Sequence, residues 1–106
     1  MEIIYGGRGS GKTYLLVQAL KRNKKAVLVT FNQRERMRII NEYELKEDQV
    51  LIFDSIYTGQ HRGLNIKALF VDNLELCLHS FFNLPITMVT LNEPPTIIPI
   101  QPPIPY

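Results

Sequence analysis

Gly6-Gly7-Arg8-Gly9-Ser10-Gly11-Lys12-Thr13 is the stretch around which the rest of the chain is organised. It fits G-x-x-x-x-G-K-[ST] at every fixed position, the pattern of a loop that cradles phosphate groups. The residue types follow from that task. Gly6, Gly9 and Gly11 carry no Cβ, so the backbone can turn successive N–H groups toward one anion. A helix starting at the end of the loop aims its positive dipole end at the same point. Lys12 brings a point charge to the β- and γ-phosphates, and the Thr13 hydroxyl is a ligand for Mg²⁺. Gly7, Arg8, Gly9, Ser10, Gly11, Lys12 and Thr13 are therefore the predicted nucleotide-contacting set. The flanks agree: Glu2-Ile3-Ile4-Tyr5 reads as a strand entering the loop, and Thr13–Arg22 as the helix leaving it.

A chain of 106 residues is one small domain. Its 45% hydrophobic content is enough for a core, while no apolar run approaches the roughly 20 residues of a membrane span. The sequence opens directly on the strand, so no leader peptide and no membrane association are expected. A lone cysteine, Cys77, excludes an internal disulfide and suits a reducing compartment, the cytoplasm of the producing or host cell. The net charge of +2 says little about partners, and no Cys/His cluster has zinc-type spacing.

Leu16, Ala19 and Leu20 give the first helix its core spacing. Lys21, Arg22, Lys24 and Lys25 crowd its C-terminal end, where they complement the dipole and read as a solvated helix end rather than a nucleic-acid patch. Asn23 is placed to cap it in the left-handed conformation. Ala26–Phe31 is nearly all apolar, as a parallel strand covered on both faces should be. Asn32 and Glu35 have capping-box spacing at the head of a second helix running to about Tyr43, with Met37 and Ile40 on its inner edge. Arg34, Arg36 and Arg38 on that helix are the strongest electrostatic candidates. Gln49–Asp54 reads as a third strand, Tyr57–Asn65 as a polar loop, Lys67–Asp72 as a fourth strand ending in an acid, and Leu74–Phe82 as a third helix closed by Pro85. Ile86–Leu91 reads as a fifth strand. This order predicts an α/β domain, a three-layer sandwich around a five-stranded parallel sheet. The core spans residues 1–93. Residues 94–106 hold six of the seven prolines among isoleucines and form an extended arm. The arm either packs on its own domain or docks on a neighbouring subunit or partner protein.

These motifs resemble the P-loop NTPases, and within them the helicase- and terminase-like branch. Ala68-Leu69-Phe70-Val71-Asp72 resembles a Walker B strand, whose acid holds Mg²⁺. The loop with Arg8 inside it is similar to the Walker A of viral DNA-packaging motors. Val29-Thr30-Phe31-Asn32 and the Arg-rich helix after it resemble the corresponding segment of superfamily 1 helicases. The resemblance implies a sheet order of Glu2–Tyr5, Ile86–Leu91, Lys67–Asp72, Ala26–Phe31, Val50–Phe53. It implies ATP and Mg²⁺ as ligands, Thr13 and Asp72 as metal ligands, and Lys12 and Asp72 as catalytic residues. It also implies an arginine finger, for which Arg62, the Arg34–Arg38 group or Arg8 in cis are available.

Two departures bear on activity. Asn73 stands where these families carry the catalytic glutamate, and the second domain of the larger motors is absent from this sequence. Glu75 is the first choice for a replacement base because it is nearest to Asp72 in sequence. Glu35 and Glu93 are the alternatives, with a helix cap and a turn as their plainer roles. His61 and His79 are isolated and read as neither catalytic nor metal-binding. The reading expected from sequence is a small ATP-binding protein with at most slow Mg²⁺-dependent ATPase activity. Its compactness suits a phage-encoded protein linked to DNA replication or packaging, forming a homo-oligomer or joining a larger partner through residues 94–106, with nucleic acid an open partner class. The competing reading is a non-hydrolysing nucleotide-binding or interaction module. A small-molecule kinase is disfavoured by the lack of an Arg-rich lid segment.

Overall fold

A computed structural model describes residues 1–6, 11–59 and 65–100. The elements are β1 (Glu2–Tyr5), α1 (Lys12–Lys21), β2 (Ala26–Thr30), α2 (Gln33–Tyr43), a 3₁₀ turn (Glu47–Gln49), β3 (Val50–Ile52), α3 (Phe53–Tyr57), β4 (Ala68–Val71), α4 (Leu74–Phe82) and β5 (Thr96–Pro99). Helices alternate with strands, and every strand pairing is parallel, which makes this a small α/β domain.

The core is built around β2, all five of whose residues are buried. Leu28 packs with Val17 and Leu20 of α1, Ile39 and Ile40 of α2, Leu45 and Val50. Side chains alternate along a strand, so Val27 and Val29 face the other way, and they too are buried. This is the burial that an uninterrupted apolar strand requires. Helix α2 begins where Asn32 accepts a hydrogen bond from the Glu35 N–H at 2.8 Å, which is half of the expected capping box. The Glu35 carboxylate turns instead to Arg38. Met37 is exposed, and Ile39 with Ile40 forms the inner edge of the helix. Arg36 fixes how α2 meets the next strand. Its Nε donates to the Val50 carbonyl at 2.7 Å and its Nη2 to the Glu47 carbonyl at 2.8 Å. At the end of α1 the cap is Arg22 in right-handed conformation, and Asn23 makes a turn, its side chain accepting from the Lys25 N–H.

The single five-stranded sheet expected from sequence is not formed. The strands divide into a three-stranded sheet, β3-β2-β4, and a pair, β1-β5. The partner of β1 comes from Thr96–Pro99 rather than from Ile86–Leu91, which forms no strand. Only Asn92–Pro95 separates the two segments, whereas two strands lying parallel need a crossover of a dozen or more residues. Pairing of 96–99 with β1 therefore excludes 86–91 from the same arrangement. Proline is tolerated in β5 because donors alternate along it. Thr96 and Ile100 donate to Met1 and Tyr5, each at 3.0 Å, so the ring nitrogen of Pro99 faces away from β1. The start of the expected arm thus packs on its own domain, and residues 101–106 lie outside the described residues. The third strand also ends early, at Ile52, and α3 takes up its expected last residues, Phe53 and Asp54, and runs on to Tyr57, the first residue of the expected polar loop. Phe53 and Tyr57, one helical turn apart, both meet the Phe81 ring of α4 edge-on, at 5.9 and 4.7 Å between centroids. Among the described residues no helix is long and apolar enough to cross a membrane.

Candidate phosphate and metal site

Helix α1 starts at Gly11, which takes a left-handed conformation (φ 87°, ψ 18°) and offers no side-chain cap. The first turn carries no acidic residue. The first N–H groups of a helix have no partner within it, and here no side chain of the cap residue supplies one, leaving an end suited to an anion. Lys12 Nζ donates to the Gly6 carbonyl at 2.6 Å, closing the two ends of the loop on each other. Gly7, Arg8, Gly9 and Ser10, the remaining residues of the predicted cradle, lie outside the described residues.

Thr13 and Asp72 are brought together from 59 residues apart: the Thr13 hydroxyl donates to the Asp72 carboxylate, 3.2 Å from Oδ1 and 3.4 Å from Oδ2. Two features place Asp72 there. Strand β4 ends at Val71, and the Asp72 N–H donates to the Val29 carbonyl of β2 at 2.8 Å. Asp72 then sits at the carboxyl edge of the sheet, where open α/β sheets bind their ligands. Burial pushes the Asp72 carboxyl above the usual carboxylate range. The Thr13 hydrogen bond opposes this, the negative charge of Glu35 adds to it, and Arg38 and Lys12 work against it.

The candidate bases fall in different places. Glu35 lies on the first turn of α2 and accepts from Arg38 Nε at 2.7 Å, and its charge reaches Asp72. Glu75 is exposed on the first turn of α4. Glu93 is exposed in a bend before Pro94. Nearness in sequence favours Glu75, and Glu35 is the glutamate whose charge acts on Asp72. The signal was available in the order of the strands, since β2 and β4 are neighbours and α2 leaves the end of β2. The arginine group is largely committed to its own helix. Arg36 holds backbone carbonyls and Arg38 bridges Glu35 and Glu42, which leaves Arg34 exposed. Arg62 and His61 lie outside the described residues. His79 is exposed on α4.

Cys77 is a core residue, 1% exposed. Its Sγ lies 3.6 Å from the Asp72 carbonyl, and burial, with the Asp72 charge second, pushes the thiol up to about 11. It is a packing group rather than a nucleophile. Sequence reasoning did not single out Thr30 as a site feature. It is fully buried at the end of β2, and its hydroxyl finds no partner among the described residues.

The residues present fit Mg²⁺ by donor chemistry. A threonine hydroxyl and a desolvated carboxylate are hard oxygen ligands already within hydrogen-bond distance of each other. Among the described residues no group of three or more His, Cys, Asp and Glu exists, so the protein would supply few ligands. That is the usual arrangement for Mg²⁺ held partly by phosphates and water. No known protein family, no curated protein and no solved structure matches the chain.

Proposed function

We propose that the chain binds a nucleoside triphosphate with Mg²⁺, ATP in the first instance, and hydrolyses it slowly at most. The observation that carries the reading is the Thr13–Asp72 hydrogen bond directly behind a helix start whose cap residue, Gly11, makes no side-chain cap. The order β4-β2-β3 supports it, because it coincides with the last three strands of the order implied by the P-loop NTPase resemblance. In this reading the N-terminus of α1 and Lys12 hold the β- and γ-phosphates. Thr13 and Asp72 would hold the metal, which would offset the negative charge of the phosphates. Glu35 is the carboxylate best placed to orient water. Asn73 is committed elsewhere, as the cap of α4, which favours slow turnover.

Thermal unfolding tests binding. A ligand that binds only the folded state stabilises it by about 2.7 kcal/mol at a hundred times its Kd. Mg-ATP should raise the Tm, and Lys12→Ala should remove the shift while leaving the unliganded protein folded. A folded wild type that shows no shift at millimolar nucleotide would end the proposal. Phosphate release abolished by Lys12→Ala distinguishes an ATPase from a module that only binds.

A further inference from the structure

Two segments ten residues apart compete in sequence to be the parallel partner of β1. The one in place, Thr96–Pro99, is four residues long, contains a proline and is half-exposed at Ile97. The one left out, Ile86–Leu91, is six residues long, free of proline and glycine, and rich in β-branched and large apolar side chains. It is also conspicuously in water: Met88 is 88% exposed, Val89 66% and Leu91 49%. A protein seldom leaves such a run solvated without a use for it. Its direction suits β1. It follows α4 after three residues, Asn83–Pro85, and Asn83 ends that helix in the left-handed conformation of an ordinary αβ connection. A strand entered in this way from β4 through a helix runs parallel to β4, and the C-terminal ends of β1 and β4 meet at the neighbouring residues Lys12, which bonds Gly6, and Thr13, which bonds Asp72.

We propose that β1 is the fixed half of a strand-exchange switch, whose movable half is either Thr96–Pro99 or Ile86–Leu91. The two states exclude each other because Asn92–Pro95 is far too short for a parallel crossover. In the state seen here 96–99 is in and 86–91 is out. In the other state 86–91 pairs with β1, buries Met88 or Val89, and releases the proline-rich segment from the domain. The exchange acts where it matters, since β1 runs straight into Gly6, whose carbonyl receives Lys12. With 86–91 in place, the segment leaving β1's partner at that end is Asn92–Pro95 instead of the chain beyond Ile100. The proposal does not depend on nucleotide binding.

The test is hydrogen exchange on the nucleotide-free full chain, read by peptide, with β2 amides as the internal standard of folding. Ile98→Pro removes a donor from the strand in place. It should slow exchange across 86–91 by about tenfold or more relative to wild type. Met88→Pro and Val89→Pro, made separately, should slow exchange across 96–100. Adjacent residues donate to opposite sides, so at least one of the two disables the competing strand. If 86–91 exchanges at the free-chain rate in Ile98→Pro while β2 stays protected, the proposal fails. Loss of protection in both segments together would show a hairpin between them and overturn it. Protection at 86–91 that disappears on dilution would assign the partner strand to a second copy and also overturn it.

Discussion

Installing the acid that the P-loop families carry after their Walker B aspartate is the obvious way to strengthen catalysis, and the backbone opposes it here. Asn73 has φ 59° and ψ 64°, and its side-chain oxygen accepts from the Leu76 N–H at 3.4 Å. Asparagine tolerates the left-handed region and caps helices; glutamate does neither as well. The bond is long, so the cap contributes toward the low end of its usual range, about 0.5–1 kcal/mol. Holding an ordinary side chain in a left-handed conformation costs about 1–2 kcal/mol more. Asn73→Glu should therefore lose about 1.5–3 kcal/mol, which at several degrees per kcal/mol is a fall in Tm of roughly 6–20 °C for a domain of this size. Asn73→Gly keeps the conformation and loses little of the cap, so it should stay within about 0.5 kcal/mol of wild type. Urea and thermal unfolding measure both. Phosphate release per folded molecule should not rise in Asn73→Glu, because an acid held by this backbone conformation is not free to approach the site. A fully stable Asn73→Glu with faster turnover would refute the reasoning, as would a strongly destabilised Asn73→Gly.

Thr30→Val should stabilise the protein by about 1–2 kcal/mol, since it replaces an unpartnered buried hydroxyl by a methyl of the same shape; a loss of stability would show that the hydroxyl has a partner. Asp72 tests the electrostatics of the site. Its carboxyl is raised in the folded state, so its contribution to stability is present below the ordinary carboxylate range and is lost as pH rises through the raised value. Without metal or nucleotide, Asp72→Asn should gain on wild type as pH rises toward neutral, and unfolding midpoints across that range that drift the other way would contradict the burial argument. Arg36→Ala strips the donors from two carbonyls and should cost about 1–3 kcal/mol with little change in urea m-value, whereas exposed Arg34→Ala should stay within about 0.5 kcal/mol; equal effects would mean that Arg36 is not the clamp between α2 and β3.

Most elements were legible because their signals are local. The glycine-lysine loop marked α1, the uninterrupted apolar run marked β2, and the Asn32 cap marked α2. Pro85 marked the stop of Leu74–Phe82. What could not be read was a choice between competitors. Ile86–Leu91 is the better strand by every local criterion, yet the pairing with β1 goes to a segment containing proline. Composition describes each segment alone, and the four residues between them impose the exclusion. Helix α3 was hidden for a related reason. Its five residues are too few for a periodic pattern, and the Phe81 ring that rewards it lies on another helix. At the site, the motifs named Thr13 and Asp72 together as metal ligands, and their side chains lie within hydrogen-bond distance.

Among the described residues the positive-φ positions fall into two groups, and the difference between them points to the same edge of the sheet. Glu44, Gly59 and Asn83 have positive φ just after helices, where a left-handed residue is an ordinary way to stop. Gly11 and Asn73 have positive φ at helix starts, where the cap residue is normally extended, as Asn32 is. Helix-stopping does not explain that pair. Gly11 immediately precedes Lys12 and Thr13, and Asn73 immediately follows Asp72. The two unusual starts thus bracket a long-range hydrogen bond that joins the start of α1 to the end of β4. Asp72, desolvated, and Thr30, unpartnered, add their own costs at the ends of the neighbouring strands β4 and β2. Costs gathered at one edge are the mark of a region shaped by something other than stability. A phosphate-bearing ligand with its metal would compensate the most polar of them, by giving the open end of α1 an anion and the Asp72 carboxylate a cation.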